Sequence, residues 1–323
     1  RSLRGWALAC LLGSAAWAQN LGSNPSLNSG SQTITSSNTF AGTFSVNNAT
    51  LYLGTNFTTP ASASFAFTGS GSYLSYNIGS TPFTLSLPIG TSLTRSGAGG
   101  TTYVYDNLNN SGSVTVSGGA LQFQSGTTFT NNSGATTTVT GSGSTLYLIG
   151  LINAGTLAVD TNGTLQLAGS FTTPNLGSFT TASGGAVRLT GSLDNSNSTL
   201  SLPAGSALTL AGGTITGGNI TSSALALSTS AGTLDGATVN GNLSVGTSQV
   251  VTLKNSGAGA TGTTTVNAGT LYLATNLTAL ANSAYVFTGG SSYLSYNVGS
   301  TPFTFSLPAT TSLTRSGAGG TTY

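Results

Sequence analysis

The sequence predicts an all-β chain wound as a parallel β-solenoid. Three observations lead there. Apolar residues recur in pairs two positions apart along nearly the whole chain, one long segment returns 220 residues later, and charged residues are almost missing.

The pairs come first. Leu51/Leu53, Val114/Val116, Leu121/Phe123, Leu146/Leu148, Leu157/Val159, Leu165/Leu167 and Val187/Leu189 share one pattern. It continues through Leu200/Leu202, Leu208/Leu210, Leu225/Leu227, Leu243/Val245 and Leu271/Leu273. Spacing i, i+2 puts both side chains on one face of a strand, and the residue between them (Tyr, Gln, Ala, Arg, Ser or Thr) on the other. Gly, Asn or Ser, the turn-forming residues, flank each pair. No segment past the N-terminus keeps helical periodicity, so helix content near zero is expected.

The repeat comes second. Residues 41–103 align without gaps to 261–323, with 43 identities in 63 positions. Ser72-Tyr73-Leu74-Ser75-Tyr76-Asn77 recurs as Ser292-Tyr293-Leu294-Ser295-Tyr296-Asn297, and Thr91 to Tyr103 recurs unchanged as Thr311 to Tyr323. The second copy stops where the first continues with Val104-Tyr105-Asp106, so further units are expected beyond it. Successive pairs begin about 8 to 28 residues apart, which fits neighbouring faces and full rungs of roughly 20 residues. Short strands at such spacing also suit a β-sandwich. Three facts favour the solenoid: the length, the lack of a Cys…Trp…Cys core, and repetition that persists to the last residue.

Charge comes third. Ten of 323 residues are charged, six Lys or Arg and four Asp, with no Glu, His or Met; an average domain is about 25% charged. Stacked rungs lie about 4.8 Å apart, so equivalent side chains stack on themselves. Like charges repel there, whereas Asn, Ser and Thr can form hydrogen-bonded ladders. Apolar residues make up 37%, enough to bury a core.

The first residues read as a targeting segment. Arg1 and Arg4 form a basic n-region, Trp6 to Leu12 an apolar run, and Ala16-Trp17-Ala18 a small-residue cleavage site. Residues 1–18 are thus expected to be a signal peptide, cut between Ala18 and Gln19. The run is shorter than the ~20 residues of a membrane span. Cys10, after Ala7-Leu8-Ala9, allows a lipoprotein reading that fits less well. Without Arg1 and Arg4, the cations Arg95, Arg188, Lys254 and Arg315 balance Asp106, Asp160, Asp194 and Asp235, and residues 19–323 are neutral. They also hold no cysteine, so no disulfide can brace them.

A family resemblance sits on two segments. Val251-Thr252-Leu253-Lys254-Asn255-Ser256-Gly257-Ala258-Gly259 runs on through Thr261-Gly262-Thr263-Thr264-Thr265-Val266-Asn267-Ala268-Gly269-Thr270-Leu271. This resembles the autotransporter-associated β-strand repeat. A second match runs from Leu93-Thr94-Arg95-Ser96-Gly97-Ala98-Gly99 to Gly112-Ser113-Val114-Thr115-Val116-Ser117-Gly118-Gly119-Ala120-Leu121, and a third begins at Leu313. Arg95, Lys254 and Arg315 fall at the repeat's Lys position. The copy at 251 is short between its halves, and the copy at 93 has Gly-Ala-Leu for Gly-Thr-Leu. The resemblance implies a passenger of a type V secreted protein: a right-handed parallel β-helix, passed by the export machinery to an outer-membrane β-barrel translocator. It would lie at the bacterial cell surface or be secreted, often as an adhesin.

Few residues are left for chemistry. Acid–base and metal sites draw on His, Glu, Asp and Cys, and the four aspartates lie at least 34 residues apart. No catalytic, cofactor or metal site is assigned, and the chain reads as a non-catalytic structural or adhesive protein. A polysaccharide lyase or hydrolase would need these carboxylates to converge. Asp106-Asn107-Leu108-Asn109-Asn110 and Asp194-Asn195-Ser196-Asn197 have an oxygen-rich look, but one carboxylate each suits a turn better than Ca²⁺. Tyr73, Tyr76, Tyr293 and Tyr296, with Phe83 and Phe303 nearby, are candidates for stacking on glycans, or for packing a rung. Thr136-Thr137-Thr138 and Thr263-Thr264-Thr265 raise an ice-binding alternative, which needs a regular Thr-x-Thr at every rung. Gly97-Ala98-Gly99-Gly100 lacks the Lys-Ser/Thr of a phosphate loop. Asn-x-Ser/Thr sequons, Asn48 and Asn162 among them, come with this composition. No basic patch suits nucleic acid.

Expressed from its complete reading frame in a Gram-negative host, the chain is expected to mature at Gln19. N-terminal sequencing checks this, and Ala18→Phe should leave the precursor uncut.

Overall fold

The computed structural model describes residues 19–76, 81–97, 99–182, 184–296, 302–316 and 321–322. The expected signal peptide with Arg1, Arg4, Cys10 and Ala18 lies outside them, as do Asn77, Asn297 and Tyr323. Within them the chain forms a parallel β-solenoid of about 13 turns. At about 4.8 Å per rung that is roughly 60 Å of length.

Each turn contributes three short strands, one to each of three faces. Wherever strands pair, each partner is the third strand along the chain, and the pairing is parallel. The first face stacks eight strands, from Ser26–Leu27 to Thr180–Thr181; the second stacks ten, from Ser31–Ile34 to Leu225–Leu227. The third face carries five strands from Phe57–Thr58 to Leu151–Asn153, then eight from Ser170–Thr172 to Thr321–Thr322. Four-stranded sheets ending at Gly259–Ala260 and Ser312–Arg315 extend the first two faces. Among the described residues helix is confined to Thr173–Leu176 and a single 3₁₀ turn, Ser222–Ala224. Thr172 caps the former by accepting from the Asn175 N–H at 3.3 Å.

The apolar pairs fill the interior. Thr102, Leu121, Leu146, Leu165, Val187 and Leu208 stand in one inward column on the second face, each register-paired with the next, and all are buried. Of the pairs read from the sequence, Leu202 and Leu225 are only partly covered. Between Ser31 and Tyr76 the core is aromatic: Phe40 packs on Phe44, Phe57 and Phe65 at centroid distances of 5.5, 6.4 and 5.3 Å.

A polar spine runs inside the same coil. Asn110, Asn131 and Asn153 stack in register and are buried. Asn110 Nδ2 donates to Asn131 Oδ1, and Asn131 Nδ2 to Asn153 Oδ1, both at 2.9 Å. Each amide also donates to a backbone carbonyl: Thr136 and Thr156 at 3.1 Å, and Ser178 at 2.9 Å. Thr136 and Thr156 open their strands and Ser178 lies just before one, so each amide ties the corner after its own strand to the following rung. Asn195 does the same further on, donating to Asn219 O at 2.8 Å and accepting from Thr173 Oγ1 at 2.7 Å.

Corners are tight. A Cβ on Gly169 would sit 1.7 Å from Ile149 O of the preceding rung, so only glycine lets those backbones close. Asn48 takes a left-handed φ of 51°, and its Oδ1 accepts from Ser70 N at 2.7 Å in the next turn.

The two copies of the 63-residue unit fold alike but face differently. Thr43–Asn47 lies on the first face, while its copy Thr263–Asn267 lies on the second. The offset of 220 residues spans ten turns plus one strand, so the second copy is rotated by one face about the solenoid axis.

Asn131→Ala removes a buried donor and acceptor at once. It is expected to cost about 2–4 kcal/mol in urea denaturation, whereas Asn132→Ala, on the outward side, should cost less than about 1 kcal/mol.

Candidate functional site

Outward residues stack as in-register columns. On the second face Tyr73, Tyr103, Gln122, Tyr147, Gln166 and Arg188 follow one another, one per rung. Tyr73 and Tyr103 stack with centroids 5.3 Å apart and planes 22° from parallel. Of the four tyrosines singled out by sequence, Tyr73 and Tyr293 point outward and are 36% and 37% exposed; Tyr296 is 42% exposed. Tyr76 is half-buried at the end of its strand. The structure thus leaves three of them accessible.

It also brings together residues that sequence reading kept apart. Thr50 pairs with Tyr73 and Tyr52 with Ser75. In the second copy Thr270 pairs with Tyr293 and Tyr272 with Ser295. There the four side chains line a cleft of about 180 Å³. A neighbouring cleft of about 210 Å³ shares Ser295 and is lined by Leu273, Leu294, Tyr296, Phe303 and Phe305. Tyr52 and Tyr272 were legible only as outward residues of Thr-Leu-Tyr-Leu. Nothing local shows that they meet the tyrosine 21 positions later. Larger recesses are shallow troughs along corners and faces, such as the one of about 580 Å³ beside Leu225, Ser244 and Gln249.

The first face carries two hydroxyl columns. Thr43, Ser64, Ser92, Ser113, Thr136 and Thr156 form one; Ser45, Ala66, Thr94, Thr115, Thr138 and Ala158 form the other. Ser and Ala interrupt them, so Thr-x-Thr does not recur at every rung. Thr137 and Thr264, the middle members of the two Thr runs, are buried.

The aspartates take four separate roles. Asp235 pairs with Lys254 at 2.7 Å and accepts from Asn255 Nδ2 at 2.5 Å. Asp194 stands two rungs before it in the same column, with Thr216 between; Asp194 is exposed, and the Ser196 N–H holds its carboxyl below the usual range. Asp160 accepts from Thr161 Oγ1 at 3.1 Å at a turn. Asp106 is buried, with Oδ1 accepting from Phe83 N at 2.9 Å and Oδ2 unpaired. Burial pushes its carboxyl up to about 7, against the pull of that hydrogen bond. The two oxygen-rich stretches do not form ion loops. Asn107–Asn110 is a strand, and the Asn195 amide is committed to the backbone. No group of three His, Cys, Asp or Glu side chains gathers among the described residues.

The cations at the repeat's Lys position are not structurally equivalent. Arg95 points inward and is buried; its guanidinium donates to the carbonyls of Gly69 (3.0 Å), Gly99 (2.8 Å), Gly100 (3.1 Å) and Ser96. A Cβ on Gly119 would come within 2.5 Å of Arg95 Nη2. Lys254 points outward to Asp235. The glycine that follows comes one residue later after Lys254 than after Arg95, and a one-residue slip turns a strand side chain to the opposite face.

No family model and no curated protein matches the chain. A solved structure, the crystal structure of the TibC-catalyzed hyper-glycosylated TibA55-350 fragment, is similar over 94% of this chain and 100% of that one. The sequence identity is 16% and the TM-score 0.35. At that score the fold of this chain is read from its own strand pairing.

Asp106 makes stability pH-dependent. Its pKa is higher in the folded than in the unfolded chain, so its contribution is complete below about pH 4 and is lost as pH rises through about 7. The loss is on the order of 2–4 kcal/mol. Asp106→Asn is expected to flatten that slope in urea melts taken from pH 4 to 8.

Proposed function

We propose that the chain is a non-catalytic structural and adhesive solenoid. It is exported behind residues 1–18 and carried by an outer-membrane β-barrel translocator to the bacterial cell surface or released there. The observation that carries this reading is the rod itself: a parallel coil, filled by side chains, whose outward columns are mostly hydroxyl, amide and tyrosine side chains. Such a surface suits many weak contacts, whose combined avidity greatly exceeds each one. The commitment of Asp235 to Lys254 and the burial of Asp106 support a role without catalysis. The resemblance of the segments at 93 and 251 to the autotransporter-associated repeat supports the export route.

The complete reading frame, expressed in a Gram-negative host, tests it. Protease added to intact cells should remove the solenoid, and those cells should bind glycan-coated surfaces or sister cells more than cells with the empty vector. A solenoid that stays in the cytoplasm or periplasm, or displaying cells that adhere no better than the control, would sink the reading.

A further inference from the structure

We propose that Thr50, Tyr52, Tyr73 and Ser75, and again Thr270, Tyr272, Tyr293 and Ser295, form two copies of one binding site for a neutral saccharide. This deepens the adhesive reading and rests on it for biological meaning.

The first support is geometric. Both sets share one register, with Thr beside the second Tyr and the first Tyr beside Ser. The two rings therefore stand diagonally across adjacent rungs with a hydroxyl at each remaining corner. In the second copy this frame lines an open cleft of about 180 Å³, a slot suited to one sugar ring. In the first copy Tyr103 stacks on Tyr73 from the following rung, on the side away from Thr50, and steadies that wall.

The second support is what changed between the copies and what did not. Elsewhere in the unit inward residues differ, as Phe44 and Thr264, Phe57 and Leu277, Phe65 and Tyr285, Leu85 and Phe305, while the inward Leu51, Leu53, Ser72 and Leu74 of the site's own strands are kept. All are inward positions, which packing alone would hold, since outward substitutions usually cost little. Yet the outward Thr50, Tyr52, Tyr73 and Ser75 are unchanged at 270, 272, 293 and 295. On the preceding face outward residues did change, as Ser45 to Thr265 and Ala66 to Val286.

The third is chemical. Thr50–Leu53, Gly71–Tyr76 and their copies hold no charged residue, and Lys254, on the rung before the second copy, is already paired with Asp235, so an anionic ligand would find no free counter-charge within the four strands. Tyrosine rings offer apolar faces with a polar tip, and Ser and Thr hydroxyls both donate and accept. A neutral sugar presents the matching set, C–H faces and hydroxyls.

The placement sets the valency. The sites are ten turns apart, about 50 Å along the axis, and the extra strand puts them on different faces. One glycan chain lying along a face cannot reach both, so each molecule holds two separate chains and can cross-link them.

The test titrates the full chain with neutral hexasaccharides of glucose, galactose and N-acetylglucosamine. Binding of two molecules per chain by at least one of them is expected. Tyr52→Ser/Tyr73→Ser and Tyr272→Ser/Tyr293→Ser should each leave one site. The quadruple variant should lose affinity by about tenfold or more while its circular dichroism melt is kept, and Tyr147→Ser, on the same face outside the slots, should change nothing. Beads coated with the bound sugar should be cross-linked by the unaltered chain and by neither double variant. No binding to any hexasaccharide, or equal binding by the quadruple variant, overturns the proposal. Displaying cells that adhere normally with the quadruple variant overturn this site but leave the adhesive reading standing. Sugar binding at both sites without adhesion does the reverse.

Discussion

Parallel stacking at about 4.8 Å per rung is the constraint on which the rest of the molecule depends. Each residue has its counterpart directly above and below, so a side chain must tolerate copies of its own kind at close range. Leucine does so by dispersion and burial. Asparagine does so by donating to the next amide, as Asn110, Asn131 and Asn153 do. Charge does not, except where signs alternate, and the Lys254–Asp235 pair on neighbouring rungs is the one ion pair among the described residues.

Exceptions to that rule sit where the backbone supplies what a stacked partner cannot. Arg95 lies in the interior without an acid and is held by carbonyls at a glycine corner, where Gly119 leaves the room it needs. Asp106 has one backbone donor and one bare oxygen, and it answers by favouring its protonated form. Arg95 ends its strand and Asp106 lies in the bend just before one. There the ladder opens, and free carbonyls or N–H groups are close.

Legibility followed the range of the interaction. The inward pairs, such as Leu165/Leu167 and Val187/Leu189, were readable because period 2 is local. Tyr73 and Tyr293 were readable as aromatics of a strand, for a surface or for packing a rung, and the strand pairing turns them outward. Tyr52 and Tyr272 were not readable as their partners, because the cleft arises between rungs and the number of residues per rung varies. The same variation hid the hydroxyl columns of the first face and the inward asparagine spine. Arg95 and Lys254 matched one motif position in sequence. Their opposite orientations came from a single extra residue before the following glycine.

The sequence by itself determined that the chain past residue 18 is nearly all β, that its inward and outward residues alternate, and that a 63-residue unit returns. These are properties of neighbours along the chain. Only the tertiary structure decided which rungs meet and which face each copy occupies. Ten turns plus one strand rotate the second copy about the axis, because a three-sided coil counts strands, not residues. The same winding brings Thr50, Tyr52, Tyr73 and Ser75 side by side on adjacent rungs, and sets their copies around a cleft on a different side.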